Sequence, residues 1–144
     1  MKRQLFSLIS MLGLLVMAGS AVAQTIHVRA DVPFGFSVGN KKLPAGMYNV
    51  KTINDRDTAQ LLLQAQDGRS SVMMISNSAE NLKPVDQTKL VFNKYRGQYF
   101  LSEIWTAGAT HGHRLAKTSR EKEVAKEIAQ TLPPQRVEIV ASLY

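Results

Sequence analysis

The chain has 144 residues, 44% of them hydrophobic, no cysteine, and a formal net charge of +7 from 18 basic and 11 acidic side chains. The absence of cysteine removes disulfides, thiolate chemistry and a lipid-modified cysteine, so a fold must hold by burying apolar surface. The length suits one domain, and basic residues scattered among acidic ones give weak attraction to anionic surfaces rather than a nucleic-acid footprint.

Lys2 and Arg3 precede an apolar run from Leu5 to Met17, and Ala21-Val22-Ala23 has the small-x-small pattern of a cleavage site. The run is short for a membrane span and has no stop-transfer flank. Residues 1–23 therefore read as a secretory signal peptide and residues 24–144 as a single β-rich domain. Without Lys2 and Arg3, the processed chain carries sixteen basic and eleven acidic residues, a formal +5. An exported bacterial protein, periplasmic or extracellular, suits a small domain without disulfides.

Ile26, Val28, Ala30 and Val32 alternate with Thr25, His27, Arg29 and Asp31, the pattern of a strand with one buried face. Pro33 interrupts it, because proline cannot donate to a strand ladder. Phe34, Phe36 and Val38 lead to Gly39-Asn40, a two-residue hairpin signal in which glycine supplies positive φ. Leu43-Pro44-Ala45-Gly46 reads as a type I turn. Met47–Ile53 forms the next strand, with Tyr48 and Val50 on one face, and Asn54-Asp55-Arg56-Asp57 a polar turn. Ala59–Gln66 and Ser71–Ser76 flank a second hairpin signal at Asp67-Gly68. Val72-Met73-Met74-Ile75 is apolar at every position, which predicts a strand covered on both faces.

The polar stretch Asn77–Thr88 reads as the longest loop. Leu90–Asn93 and Gln98–Thr106 then form a hairpin around Tyr95-Arg96-Gly97, and Tyr99–Trp105 is again apolar on both sides. Ala107–His113 reads as a glycine-rich loop. A helix follows near residues 119–131, opened by a Thr118/Glu121 capping box and closed by Pro133-Pro134. Its apolar stripe is Val124, Ile128 and Leu132, and Arg120, Lys122, Glu123, Lys126 and Glu127 make its solvated face. Val137, Ile139, Ala141 and Leu143 alternate along a last strand. The expected fold is mainly β: a small antiparallel barrel or sandwich of about seven or eight strands, with one α-helix in the C-terminal half over a face or an end. The doubly apolar strands belong beneath that helix. An outer-membrane barrel does not fit. Ser142, Val140, Glu138 and Arg136 share the face of Tyr144, and a charged helix interrupts the short strands.

Tyr95, Tyr99, Phe100 and Trp105 are the densest aromatic group. Tyr95, Tyr99 and Trp105, with Glu103, are the candidate ligand-binding residues for a carbohydrate or apolar partner, while Phe100 suits the core. Glu103 sits two residues from Leu101 and from Trp105, so all three are expected on one strand face, where an apolar setting raises a carboxyl pKa and suits a general acid. The ordinary alternative is a surface carboxylate paired with Arg114 or Lys117. His111 and His113 are weak metal-ligand candidates, with His27 elsewhere. A zinc site needs three or four ligands, and Glu103, Asp55 or Asp57 would have to complete it. Asn54–Asp57 lacks the calcium-loop pattern and its bidentate glutamate. No serine lies in a nucleophile elbow, and no glycine-rich loop cradles phosphate.

Val32-Pro33-Phe34-x-Phe36-x-Val38-Gly39, then Leu43-Pro44-Ala45-Gly46-x-Tyr48-x-Val50, resembles a motif of an uncharacterised family of short exported bacterial β-rich proteins. Tyr99–Trp105 before a charged helix is similar too. No activity is assigned to that family, so the resemblance implies a fold and export but no site residues. The Leu-Pro-x-Gly-x-Tyr-x-Val piece is also similar to turn-strand elements of prealbumin-like extracellular modules.

Together these features point to an exported non-enzymatic β-domain, without cofactor, that binds an anionic envelope component, a glycan or another exported protein, and is neither integral in the membrane nor bound to nucleic acid. One alternative is a small hydrolase or metal-dependent enzyme using Glu103, His111 and His113. Another is a carrier of an apolar ligand inside a barrel cavity.

Overall fold

Alternation of side chains along extended chain governs the architecture. A computed structural model describes residues 25–129 and 131–144, and in it Ile26, Val28, Ala30 and Val32 are buried while Thr25, His27 and Asp31 are exposed. The leader expected over residues 1–23 lies outside the described residues.

Among the described residues eleven strands and one helix follow in chain order: β1 (His27–Val32), β2 (Phe36–Val38), β3 (Lys41–Leu43), β4 (Gly46–Asn54), β5 (Asp57–Ala65), β6 (Ser71–Glu80), β7 (Lys89–Tyr95), β8 (Gln98–Trp105), β9 (His111–Leu115), α1 (Ser119–Ile128), β10 (Gln135–Val140) and β11 (Ser142–Leu143). The neighbour order is β10-β7-β8-β9-β6-β5-β4-β1-β11, with the β2–β3 hairpin attached to β8 through β2. All pairs are antiparallel except β2 with β8. Among the described residues no helix is long and apolar enough to cross a membrane.

The expectation of seven or eight strands in a barrel or sandwich is corrected to eleven in an unclosed sheet. Three segments account for the difference: Lys41–Leu43 pairs with β2 as β3, His111–Leu115 forms β9 in place of the expected loop, and Ala141 divides the last strand into β10 and β11. The two ends of the sheet, β10 and β11, are successive pieces of one C-terminal segment with only Ala141 between them. β10 pairs with β7 and β11 with β1, so one segment lies against both β7 and β1. Ala141 N–H donates to the Thr88 carbonyl at 2.8 Å and Tyr144 N–H to that of His27 at 3.2 Å.

Two turns follow local chemistry closely. Val38 pairs with Lys41 across Gly39-Asn40, and Gly39 alone has positive φ (58°), the signature of a type II′ turn. Tyr95 pairs with Gln98 across Arg96-Gly97, both at positive φ, as a type I′ turn requires. The hairpin at Asp67-Gly68 is wider than expected, with residues 66–70 outside the strands.

The inward residues of almost every strand form one cluster, in which Val28, Tyr48, Val50, Leu61, Leu63, Leu90, Phe92 and Ile104 are essentially inaccessible. Phe36 sets its ring edge-on to Tyr48 and Phe92, with centroids 5.0 and 5.3 Å away, a favoured aromatic geometry. The interior is therefore a packed core.

On the outside, α1 lies over β7 and β8, where Ile128 meets Tyr95 and Phe100. Thr118 caps it, accepting from Glu121 N–H at 3.2 Å. Glu121 does not close the expected capping box. It turns inward and accepts from Asn93 Nδ2 at 2.9 Å and from the Tyr95 hydroxyl at 3.2 Å. The helix ends at Ile128, short of the expected 131, and Leu132 is exposed.

β8 is covered on both faces, as its sequence predicts. β6 is not: Met73 and Ile75 are 70% and 77% exposed, because α1 covers β7 and β8 instead. The loop expected over residues 77–88 shrinks to residues 81–88, since Asn77–Glu80 pairs with β9. Likewise His111–Leu115, read as the end of a loop and the approach to the helix, forms that partner strand.

Candidate functional site

A β-bulge decides which way Glu103 points. Val91 pairs with Glu103 but Phe92 with Leu101, so Ser102 is an extra residue in β8. The side-chain alternation reverses there. Leu101 and Ile104 both join the inner core, and Glu103 and Trp105 turn outward, contrary to the expectation that Leu101 shares their face.

Glu103 is 5% exposed and makes three hydrogen bonds. Its Oε2 accepts from Trp105 Nε1 at 2.8 Å and from an Arg136 guanidinium nitrogen at 2.7 Å, and its Oε1 from Arg114 Nε at 3.1 Å. Burial by itself raises its pKa, but the indole N–H and the two guanidinium groups outweigh it and hold the carboxyl below its ordinary value. It is a fixed carboxylate rather than the proton-holding general acid that an apolar setting would make.

The aromatic group does not form an exposed platform. Trp105 is buried against Ala79, Val85 and Val91. Tyr95 is buried under α1, and burial, the Glu121 charge and the bond to it push its pKa up to about 12. Phe100 is buried beside it. Tyr99 is half-buried and stacks on Phe34 with centroids 3.7 Å apart. The bulge and the helix thus send Tyr95, Tyr99 and Trp105 into three separate environments.

A concavity opens where β6 leaves β5 for β9. Residues 71–75 of β6 pair with β5, and residues 76–80 pair with β9. The resulting cleft has a volume of about 670 Å³. Ile26 and Ile104 lie at its apolar floor, and Arg56, Thr58, Ser78, Thr106, His111 and His113 surround it. The inward face changes character along each contributing strand: Leu63, Leu61, Ala59, Asp57 in β5; Met74, Ser76, Ser78, Glu80 in β6; Leu115, His113, His111 in β9. The period-two pattern continues, but its residues become polar as the strands leave the core. That continuation was the signal available in the sequence and missed by treating residues 77–88 and 107–113 as loops.

His113 Nδ1 lies 2.9 Å from Ser76 Oγ. The Ser76 hydroxyl donates its one proton to the Ala59 carbonyl at 3.1 Å, so the imidazole Nδ1–H is the donor to Oγ. That polarity is opposite to the one a nucleophilic serine needs, because the imidazole does not accept the hydroxyl proton. Burial lowers the His113 pKa and keeps the ring neutral at pH 7. His111 is more exposed, with Nε2 3.8 Å from a Glu80 carboxylate oxygen. Asp57 is committed to the turn and strand beside it, accepting from Ala59 N–H at 3.1 Å and Gln60 Nε2 at 2.9 Å.

The residues of the enzyme alternative do not converge. His111 and His113 line the cleft, whereas Glu103 lies in a separate shallow depression with Lys89, Arg114 and Arg136. Among the described residues no group of three or more histidine, aspartate or glutamate side chains is placed to hold a metal ion. Compared with known proteins, the chain matches no family model, no curated protein and no solved structure.

Proposed function

We propose that this chain is an exported, non-enzymatic β-domain that binds a polar envelope component of glycan type in the cleft between β5, β6 and β9. The supporting observation is the convergence of hydroxyl, imidazole and guanidinium groups around an opening in an otherwise packed core. Such groups offer donors and acceptors to a hydroxyl-rich ligand while the apolar floor receives its carbon face. The bacterial export reading comes from the leader pattern.

A glycan array probed with the chain from Gln24 onward tests this reading. Neutral and acidic glycans are compared with and without the double substitution Arg56→Ala, His111→Ala. Both side chains are exposed, so the fold is expected to persist, and binding is expected to fall about tenfold as two polar contacts are lost. No glycan retained by the unaltered chain, or equal retention by the variant, overturns the reading.

A further inference from the structure

The outer face of β1, β4, β5 and the first half of β6 is covered by neither α1 nor the 81–88 loop. A register row across it reads His27, Lys51, Leu62, Met73, and the row beside it Arg29, Asn49, Gln64, Ser71. Ile75 lies opposite Gln60 one step further on. Met73 and Ile75 project from this face with most of their surface in solvent, and half-buried Leu62 adjoins them. Isolated exposed apolar residues are ordinary, but here they adjoin one another across neighbouring strands.

The charge around them is mainly cationic, offset by Asp57, whose carboxylate accepts from Gln60 opposite Ile75. Lys51 stands in the same row, Arg29 in the next, and Lys41 reaches the end of β6, its Nζ 3.1 Å from the Ser71 carbonyl. Among the described residues none of these three cations has a carboxylate within salt-bridge distance. Asp31 is the one acidic residue on the outward side of β1. Tyr144 adds an aromatic ring at the β1 edge, edge-on to His27 and 4.7 Å from the Arg29 guanidinium carbon, and among the described residues this face has no tryptophan or phenylalanine. Protruding aliphatic and thioether side chains inside a cationic collar match an anionic lipid surface. On such a surface lipid phosphates would meet the ammonium and guanidinium groups, and Met73 and Ile75 would enter the headgroup–acyl boundary.

We propose that this sheet face docks reversibly on a membrane leaflet containing anionic phospholipid. The proposal is independent of what the cleft binds. The strands, helix and core of the described residues lie within residues 26–143, so the test uses the chain from Gln24 onward, free of the apolar Leu5–Met17 run.

Co-sedimentation with vesicles of phosphatidylethanolamine and phosphatidylglycerol at 3:1 (roughly 25% anionic lipid) is compared with neutral phosphatidylcholine vesicles at low and high salt. The expected result is binding to the anionic vesicles alone, weakened by salt. Met73→Ser with Ile75→Ser is expected to weaken it on the order of tenfold, and Lys51→Glu about fivefold or more. Lys122→Glu, an equal charge change on the solvated side of α1, is expected to leave it within about twofold. On the unaltered chain, vesicles are expected to protect Met73 from peroxide, with buried Met74 as the internal reference, which keeps the test valid if a variant misfolds. No binding to anionic vesicles, no Met73 protection, or Lys122→Glu as damaging as Lys51→Glu overturns the proposal. Capture of an acidic protein without any vesicle binding overturns it as well.

Discussion

Glu103 shows how a residue type acquires its chemistry from its neighbours. A carboxylate two residues from Trp105 looks like a candidate acid, yet the same indole donates to it and two guanidinium groups complete its shell. Glu103→Gln keeps the shape and removes the charge, leaving Arg114 and Arg136 with a weaker acceptor. A loss of about 2–3 kcal/mol at pH 7 is expected, at the low end for a broken buried pair because both arginines are half-exposed. The sign with pH follows from the depressed pKa. The stabilisation is present above the ordinary carboxyl value near 4.5 and is lost as pH falls through the lower folded-state value. Denaturant titrations of both proteins at about pH 7 and about pH 3 check this. A gap between the two proteins that does not narrow in acid would refute the assignment.

At the scale of the elements, β8 and β9 are defined by their close approach. A Cβ at Gly112 would lie 2.7 Å from two ring carbons of Trp105 and 2.9 Å from the Ile104 carbonyl oxygen. The indole cannot swing aside freely, since Glu103 holds its N–H. Gly112→Ala is therefore expected to cost about 2–3 kcal/mol through overpacking. Trp105 is the chain's only tryptophan, so a red shift in emission and a lower melting temperature would accompany the loss. Unchanged emission and melting would show that β9 can move away without penalty. In the sequence this glycine reads as part of a glycine-rich loop, Ala107–His113. In the fold it permits close contact inside a strand, and residue spacing alone does not separate the two uses.

The whole molecule depends on how its last segment is shared. β10 pairs along β7, and after Ala141 the two residues of β11 reach β1. Deleting Ser142–Tyr144 removes the pairing of Val28 with Leu143 and Arg29 with Ser142, and the bond to the His27 carbonyl. A loss of about 1–2 kcal/mol is expected, together with concentration-dependent association, because the β1 edge becomes available to other chains. Light scattering over a concentration series checks the second effect. A mass and melting temperature matching the full-length chain would show that β11 does not protect the edge.

Much of this architecture is legible in the amino-acid order because period-two burial and turn chemistry are local. Ile26 to Val32, the glycine turns at residues 39 and 97, the Thr118 cap and the apolar alternation around Tyr48 and Leu63 each specify their own structure within a few residues. Less local facts required the assembled sheet. The Ser102 bulge exists only relative to β7, and it alone sets which way Glu103 and Trp105 face. Glu121 abandons a local capping box for Asn93 and Tyr95, which lie far away in the chain. Val72–Ile75 is apolar on both sides, but its covering depends on where α1 docks. The cleft likewise appears only because β6 exchanges β5 for β9. Sequence determines the alternation of each ribbon, since that follows from bond geometry; pairing partners and coverings depend on energies shared among distant segments, so only the tertiary structure decides them.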